Sequence, residues 1–263
     1  MRERQQKILD ILNQEERISV EALSERFGCS KVTIRNDIRA LAEQGLLERT
    51  HGGAMRKGSS DAVPAADGDT FLLPGTMGNL GRKQDEKRRI AAKAYEYIEE
   101  NDTIILDDSS ACYYLAVHIS NHPEKQVAVL TNSLASSVVL SGLSHVYLYL
   151  IGGQVGGSLP ATMGEQTIDG FHNVHVDKAF ISVHSINFKV GLTSIGTPQM
   201  QIKRAIFQTT DKVYVLADSS KFGVGYLEVV CPLKEVHRVI TDDGLKQRYV
   251  ESAEKENIPL DLC

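Results

Sequence analysis

From residue 82 to the C-terminus, short apolar, β-branched runs alternate with stretches of helical composition, and this alternation leaves few folds open. The runs are 103–106, 127–130, 146–151, 178–183, 213–217 and 238–240; the stretches between them include 83–100, 112–121, 134–143 and 198–210. A strand with one face in water alternates apolar and polar residues, and these runs do not, so both of their faces need cover. Strands buried on both faces and separated by helices form a mostly parallel sheet, which predicts an α/β domain.

The N-terminal residues follow another pattern. Residues 4–13 put Ile8, Leu9, Ile11 and Leu12 on one side of a helix, and Val20, Leu23 and Phe27 mark a second that closes at Gly28-Cys29. Ser30 then supplies an N-cap for a third helix, SKVTIRNDIRALAEQG, ending at Gly45. Two short helices around a glycine turn make a helix-turn-helix. At 100° per residue, Ile34, Ile38 and Leu41 face the core, Val32, Asn36 and Arg39 face outward, and Thr33 and Arg35 flank them. Arginine bonds guanine bidentately, asparagine does the same for adenine, valine or threonine touches a thymine methyl, and Lys31 at the helix start suits a phosphate. The following LLERTHGGAMR reads as strand, Gly-Gly turn and strand, a wing that brings Arg49 and His51 to the backbone or minor groove. A plain three-helix bundle with a solvated basic face would explain any one of these features. The succession of turn, capped helix and wing favours double-stranded operator DNA as partner.

Charge agrees with that division. The whole chain of 263 residues carries −5, but residues 1–57 carry +2 and the remainder −7. Residues 58–81 are rich in Gly, Ser, Pro and Asp without a sustained period, so they are expected to be a linker with at most a short docked segment at Phe71-Leu72-Leu73. The expected organisation is a winged helix-turn-helix domain at 1–57, a linker at 58–81 and an α/β domain for effector binding and oligomerisation at 82–263. No run approaches the ~18 to 20 apolar residues of a membrane span and the N-terminus lacks an apolar signal core, so a cytoplasmic protein without a membrane partner is expected. Cys29, Cys112, Cys231 and Cys263 stand far apart with no CxxC pair, which predicts neither metal nor disulfide; GxGxxG is missing, and no cofactor is expected.

Ligands of open α/β sheets collect beyond the carboxyl ends of the strands. The residues there are Asp107-Asp108-Ser109-Ser110, Thr131-Asn132-Ser133, Gly152-Gly153, His184, Asp218-Ser219-Ser220-Lys221 and Thr241-Asp242. Hydroxyl and glycine residues before helix N-termini favour an anion, carboxylates and amides suit hydroxyls, and Lys203 and Lys221 add charge. Taken alone, each Asx or Ser here reads more readily as a local cap than as a ligand group, and His184 equally well as a locally satisfied histidine; their convergence predicts a pocket for a phosphorylated polyol.

The residues also carry a resemblance. SKVTIRNDIRAL and ERTHGGA, with Thr33, Ile34, Arg35, Asp37, Arg49, His51, Gly52 and Gly53 at the motif positions, resemble the DNA-binding domain of the DeoR family of bacterial transcription regulators. EKRRIAAKA, DTIILDDSS, VLTNS, LIGGQ, DKAFISV, GLTS, KRAIF, LADSSKFG and ITDDG follow, in order, the sensor domain of that family, itself similar to ribose-5-phosphate-type isomerases. The resemblance implies a repressor of a sugar or carbohydrate operon, relieved by a phosphorylated sugar, and a homodimer or homotetramer. It matches the loop from Asp107 to Ala111, with Ser109 and Ser110, to the phosphate loop, and sets Thr131, Asn132, Gly152, Gly153, Asp218 and Lys221 near it. The chain departs from the family at Asn36, usually basic; at Ser109-Ser110-Ala111, usually Gly-Ser-Thr; at His184, commonly small; and at Gln199, often glutamate. The alternative is an isomerase-type enzyme with an accessory DNA-binding domain. Its proton transfer needs a carboxylate base from Asp107, Asp108, Asp218 or Asp242, but Gln199 and the missing loop threonine speak against an intact site, so no catalytic residue is expected.

Overall fold

The computed structural model describes residues 3–15, 17–43, 46–50, 53–56, 80–157 and 159–263. The chain divides into two compact units, Met1–Pro64 and Ala65–Cys263. The proposed docked segment at Phe71-Leu72-Leu73, nearly all of the expected linker, and the turn residues Gly45, His51 and Gly52 lie outside the described residues.

In the first unit, α1 (Glu3–Glu15), β1 (Arg17–Ser19), α2 (Val20–Phe27), α3 (Lys31–Glu43), β2 (Leu47–Thr50) and β3 (Gly53–Arg56) follow one another. Ser19 Oγ accepts the Ala22 N–H at 3.1 Å and so caps α2. The helix ends where Gly28, at φ 59°, turns left-handed and donates its N–H to Glu25 O. Ser30 Oγ takes the Thr33 N–H at 3.2 Å, as the cap read from the sequence requires. Ile34, Ile38 and Leu41 are buried with Ile8, Leu12, Leu23, Leu47 and Ala54, so the apolar stripe of α3 is the core side. The wing gains a strand that the sequence did not announce: β3 pairs antiparallel with both β2 and β1. A Cβ on Gly53 would lie 2.0 Å from Ile18 O, so this glycine is what lets β1 join.

The second unit opens with α4 (Gln84–Tyr95), β4 (Thr103–Leu106), α5 (Ser110–Ser120), β5 (Val127–Thr131), α6 (Leu134–Leu140) and β6 (Val146–Leu150). It continues through β7 (Gln154–Gly156), β8 (Ala161–Met163), α7 (Glu165–His172), β9 (Lys178–Ile181), β10 (Ser185–Asn187), β11 (Gly191–Ser194) and α8 (Thr197–Phe207). It closes with β12 (Val213–Leu216), β13 (Glu228–Cys231), β14 (Arg238–Thr241), α9 (Gln247–Lys255) and β15 (Leu260–Leu262). Seven strands form one sheet in the order β15-β14-β12-β9-β4-β5-β6, every neighbouring pair parallel.

The absence of polar alternation now has its cause. On one face Ile105, Leu130, Ile181, Val215 and Val239 pack with Phe171, Ile202 and Ile206. On the other Ile104, Leu106, Val129, Phe180 and Leu216 pack with Ile90 and Leu115. The run at 146–151 departs from this pattern because β6 is an edge strand, leaving Tyr147 68% exposed. The run at 178–183 is strand only to Ile181. Additional strands form the β7–β8 hairpin and a three-stranded antiparallel sheet in the order β10-β11-β13.

Strand order reverses between β4 and β9: β5 and β6 continue to one side, β12, β14 and β15 to the other. A crevice at such a switch point, beyond the carboxyl ends of the strands, is where an open α/β sheet binds ligand. Among the described residues no helix is long and apolar enough to cross a membrane.

Candidate functional site

The outward face of α3 stands as the helical period requires. Lys31, Val32, Arg35, Asn36 and Arg39 are exposed, Val32 by 63%, and Thr33 is half-buried with its hydroxyl 2.9 Å from Ser30 Oγ. Lys31 Nζ lies 2.8 Å from Glu21 Oε1 in an exposed pair, which contributes little and yields easily to a phosphate. Asp37, in the middle of the motif, is buried, takes Arg4 at 2.6 Å and Gln5 Nε2 at 3.1 Å, and so ties α3 to α1 and fixes the helix's aim. The side chain of Arg49 and the whole of His51 lie outside the described residues.

At the switch point in the second unit, Asp107 follows β4 and is fully buried. Its Oδ1 accepts the Ser109 N–H at 3.0 Å; its Oδ2 accepts the Ser182 N–H at 2.9 Å and Lys203 Nζ, from α8, at 2.5 Å. Burial works against the charge, but Lys203, Ser109 and Ser182 outweigh it and hold the carboxyl below its ordinary value. Lys203 is buried too, and its partner Asp107 keeps it above the ordinary lysine range against that burial. Lys221, on the 3-10 turn Ser219–Lys221, donates to Ser182 Oγ at 2.7 Å. Ser182 therefore bridges the carboxylate and the second lysine. Burial and the charge on Lys203 push Lys221 down.

Several strand-end side chains serve local caps and turns instead. Ser109 caps α5, its Oγ accepting the Cys112 N–H at 3.2 Å, and Ser110 begins that helix. Asp218 Oδ1 accepts the Ser220 N–H at 3.1 Å and shapes the turn that carries Lys221. Asp242 does the same for its surroundings, accepting N–H groups of Ser219 at 2.7 Å and Gly244 at 3.0 Å. Thr131 Oγ1 accepts the Ser133 N–H at 3.0 Å. Asn132 donates to Thr162 O at 3.0 Å while its Oδ1 is buried without a hydrogen-bond partner among the described residues. Gly152 O accepts Thr167 Oγ1 at 2.8 Å, and a Cβ on Gly153 would lie 2.1 Å from that same oxygen. The glycine pair is thus where α7 docks on the sheet.

Two members of the site escaped the sequence. Ser182 sat inside a run read wholly as strand. Lys87, on α4, is buried, and burial with the charge on Lys221 pushes it to about 8. An isolated lysine on an amphipathic helix gives no signal of this; only the packing of α4 beside the turn of Lys221 does. Among the described residues no group of three His, Cys, Asp or Glu side chains is placed to hold a metal. Asp107, the best-placed carboxylate, already accepts three bonds and is held ionised, which suits it to fixing lysines for an anion rather than to shuttling a proton.

Comparison with known proteins agrees with both halves. Residues 4–59 match the DeoR-like helix-turn-helix domain and residues 82–243 the DeoR C terminal sensor domain. An HTH-type transcriptional regulator of Haemophilus influenzae is 31% identical over 99% of the chain and 96% of its own length. The glycerol-3-phosphate regulon repressor of Escherichia coli is 28% identical over 97% and 96%. Ribose 5-phosphate isomerase A of Methanocaldococcus jannaschii is similar over 54% of this chain and 55% of its own, at TM-score 0.39 and 16% identity. With a helix-turn-helix unit for DNA and a sensor domain behind it, the chain belongs to the DeoR family of transcriptional regulators.

Proposed function

We propose that this regulator represses a carbohydrate-utilisation operon in the cytoplasm and lets go when a phosphorylated sugar occupies the switch-point crevice. Arg35, Asn36 and Arg39 read base edges, Val32 and Thr33 touch methyls, and Lys31, Arg49 and His51 hold the DNA backbone. Lys203 and Lys221 take the phosphate, with Ser109, Ser110 and the N–H groups at the start of α5; Asp107 holds Lys203 in place, and Thr131, Asn132, Gly152, Gly153 and Asp218 border the ligand. A homodimer or homotetramer fits this reading, since symmetric operators are read by symmetric proteins. The observation that carries it is the lysine pair anchored by Asp107 and Ser182 at the strand reversal. That the E. coli relative is named for a glycerol-3-phosphate regulon supports an effector of the same chemistry.

The test is a melting panel on the full chain with phosphorylated sugars, free sugars and polyols. A ligand at a hundredfold excess over its Kd adds about 2.7 kcal/mol of stability. The expected result is a hit among the phosphorylated compounds that also weakens operator binding. A panel with no shift, or a hit that leaves DNA affinity untouched, overturns the proposal.

A further inference from the structure

His184 has no role in the site as assigned above. Its ring is held by one edge: Nδ1 accepts the Ile195 N–H at 3.2 Å and lies 3.0 Å from Ser194 Oγ. A backbone N–H only donates, so Nδ1 carries the lone pair and the proton sits on Nε2. Nε2–H has no protein partner among the described residues, the residue is exposed, and Tyr226 stands edge-on with ring centroids 6.3 Å apart.

Charges reach this ring from three other elements: Lys203 on α8, Lys221 on the turn after β12, and Asp107 after β4. The carboxylate of Asp107 is already engaged by Lys203, Ser109 and Ser182. Although the residue keeps a solvent-facing side, partial burial of the ring and the two lysines bring the imidazole down to about 4, so near neutral pH it is an uncharged donor. An uncharged N–H directed away from its own anchor donates to any oxygen, and the field of two ammonium groups favours one that bears negative charge over water or a neutral acceptor.

We propose that His184 binds the effector and sets its specificity, donating from Nε2 to an anionic oxygen of the ligand held by Lys203 and Lys221. This rests on the sensor reading above. A donor fixed at this point favours ligands that place an acceptor there.

The experiment titrates the full chain with inorganic phosphate at constant ionic strength, following melting temperature and the side-chain 15N resonances of histidine. In the wild type, His184 starts as the Nε2–H tautomer and its ring signals move with phosphate. His184→Phe keeps a ring without a donor and raises the Kd for phosphate about tenfold or more, the worth of one hydrogen bond to a charged group. His184→Gln, whose amide restores a donor, stays within about threefold of wild type. A purely structural histidine would lower the melting temperature in both variants and leave both Kd values alike. Phosphate binding that neither moves the His184 resonances nor responds to His184→Phe overturns this inference and leaves the lysine site standing. No binding to the wild type overturns the anion-site reading itself, and this inference with it.

Discussion

A carboxylate sealed from water at Asp107 is tolerable because three donors converge on it, and removing one of them uncovers the cost. Lys203→Met is expected to destabilise the sensor unit by about 3 to 5 kcal/mol, the range for breaking a buried pair, seen as a lower urea midpoint with unchanged slope. Its pH dependence carries a definite sign. In the wild type the folded carboxyl is held low, so its contribution is present above the unfolded value of about 3.9 and is lost as pH falls through the folded value. Without Lys203, burial dominates and the folded carboxyl titrates above its unfolded value, so the variant is penalised most at neutral pH. The gap between wild type and variant should therefore narrow between pH 7 and pH 4.5; a constant gap would mean that Asp107 is not the group left stranded. On α3, Arg35 and Lys31 should behave differently from each other. Arg35→Ala is expected to weaken operator binding by about 1 to 3 kcal/mol and relax base preference, while Lys31→Ala lowers the salt slope by about 1 without changing preference. Titrations of operator and scrambled DNA at several salt concentrations separate the two.

At the scale of elements, Ser30 and the glycine pair show how local chemistry sets the placement of whole helices. Ser30→Ala removes the cap of α3 and is expected to cost about 0.5 to 2 kcal/mol, read as faster hydrogen exchange in its first turn. Gly153 sits at φ +149° with its Cβ direction filled by Thr167 Oγ1 and Met163 O, whereas a Cβ on Gly152 would meet nothing nearer than Gln166 Nε2 at 3.9 Å. Gly153→Ala should therefore cost about 1 to 3 kcal/mol as α7 is displaced, and Gly152→Ala close to nothing; equal melting temperatures would refute the docking role. The same scale explains what could be read in advance. Strands such as Thr103–Leu106 and Val213–Leu216 were legible because burial on both faces leaves an uninterrupted apolar run. Leu260–Leu262, Gln154–Gly156 and Ser185–Asn187 were not, because three residues hold too little of a period to register. Asp107, Lys203 and Lys221 were reachable from strand ends and charge, while Ser182 and Lys87 owe their place to neighbours distant in sequence, which no local pattern encodes.

For the molecule as a whole, the requirement is thermodynamic and holds for any relative placement of the two units. If a ligand in the sensor domain weakens operator binding by some factor, operator DNA must weaken that ligand by the same factor. Typical couplings of about 1 to 3 kcal/mol correspond to roughly 5- to 150-fold, enough to release an operator bound with modest excess affinity but short of the roughly 10⁴-fold needed to reverse a 99:1 equilibrium. A coupling of that size works on the margin between specific and competing DNA. The prediction is that the factor measured from DNA titrations with saturating effector equals that from effector titrations with saturating operator. Lys221→Met should bring both toward unity while leaving operator affinity without effector unchanged, because Lys221 lies on the turn Ser219–Lys221 of the sensor domain, bonded to Ser182, and not on α3. If the two factors differ in the wild type, the compound under test acts at more than one site. If Lys221→Met leaves the coupling intact, the signal reaches the DNA-binding unit by a route that does not pass through this lysine.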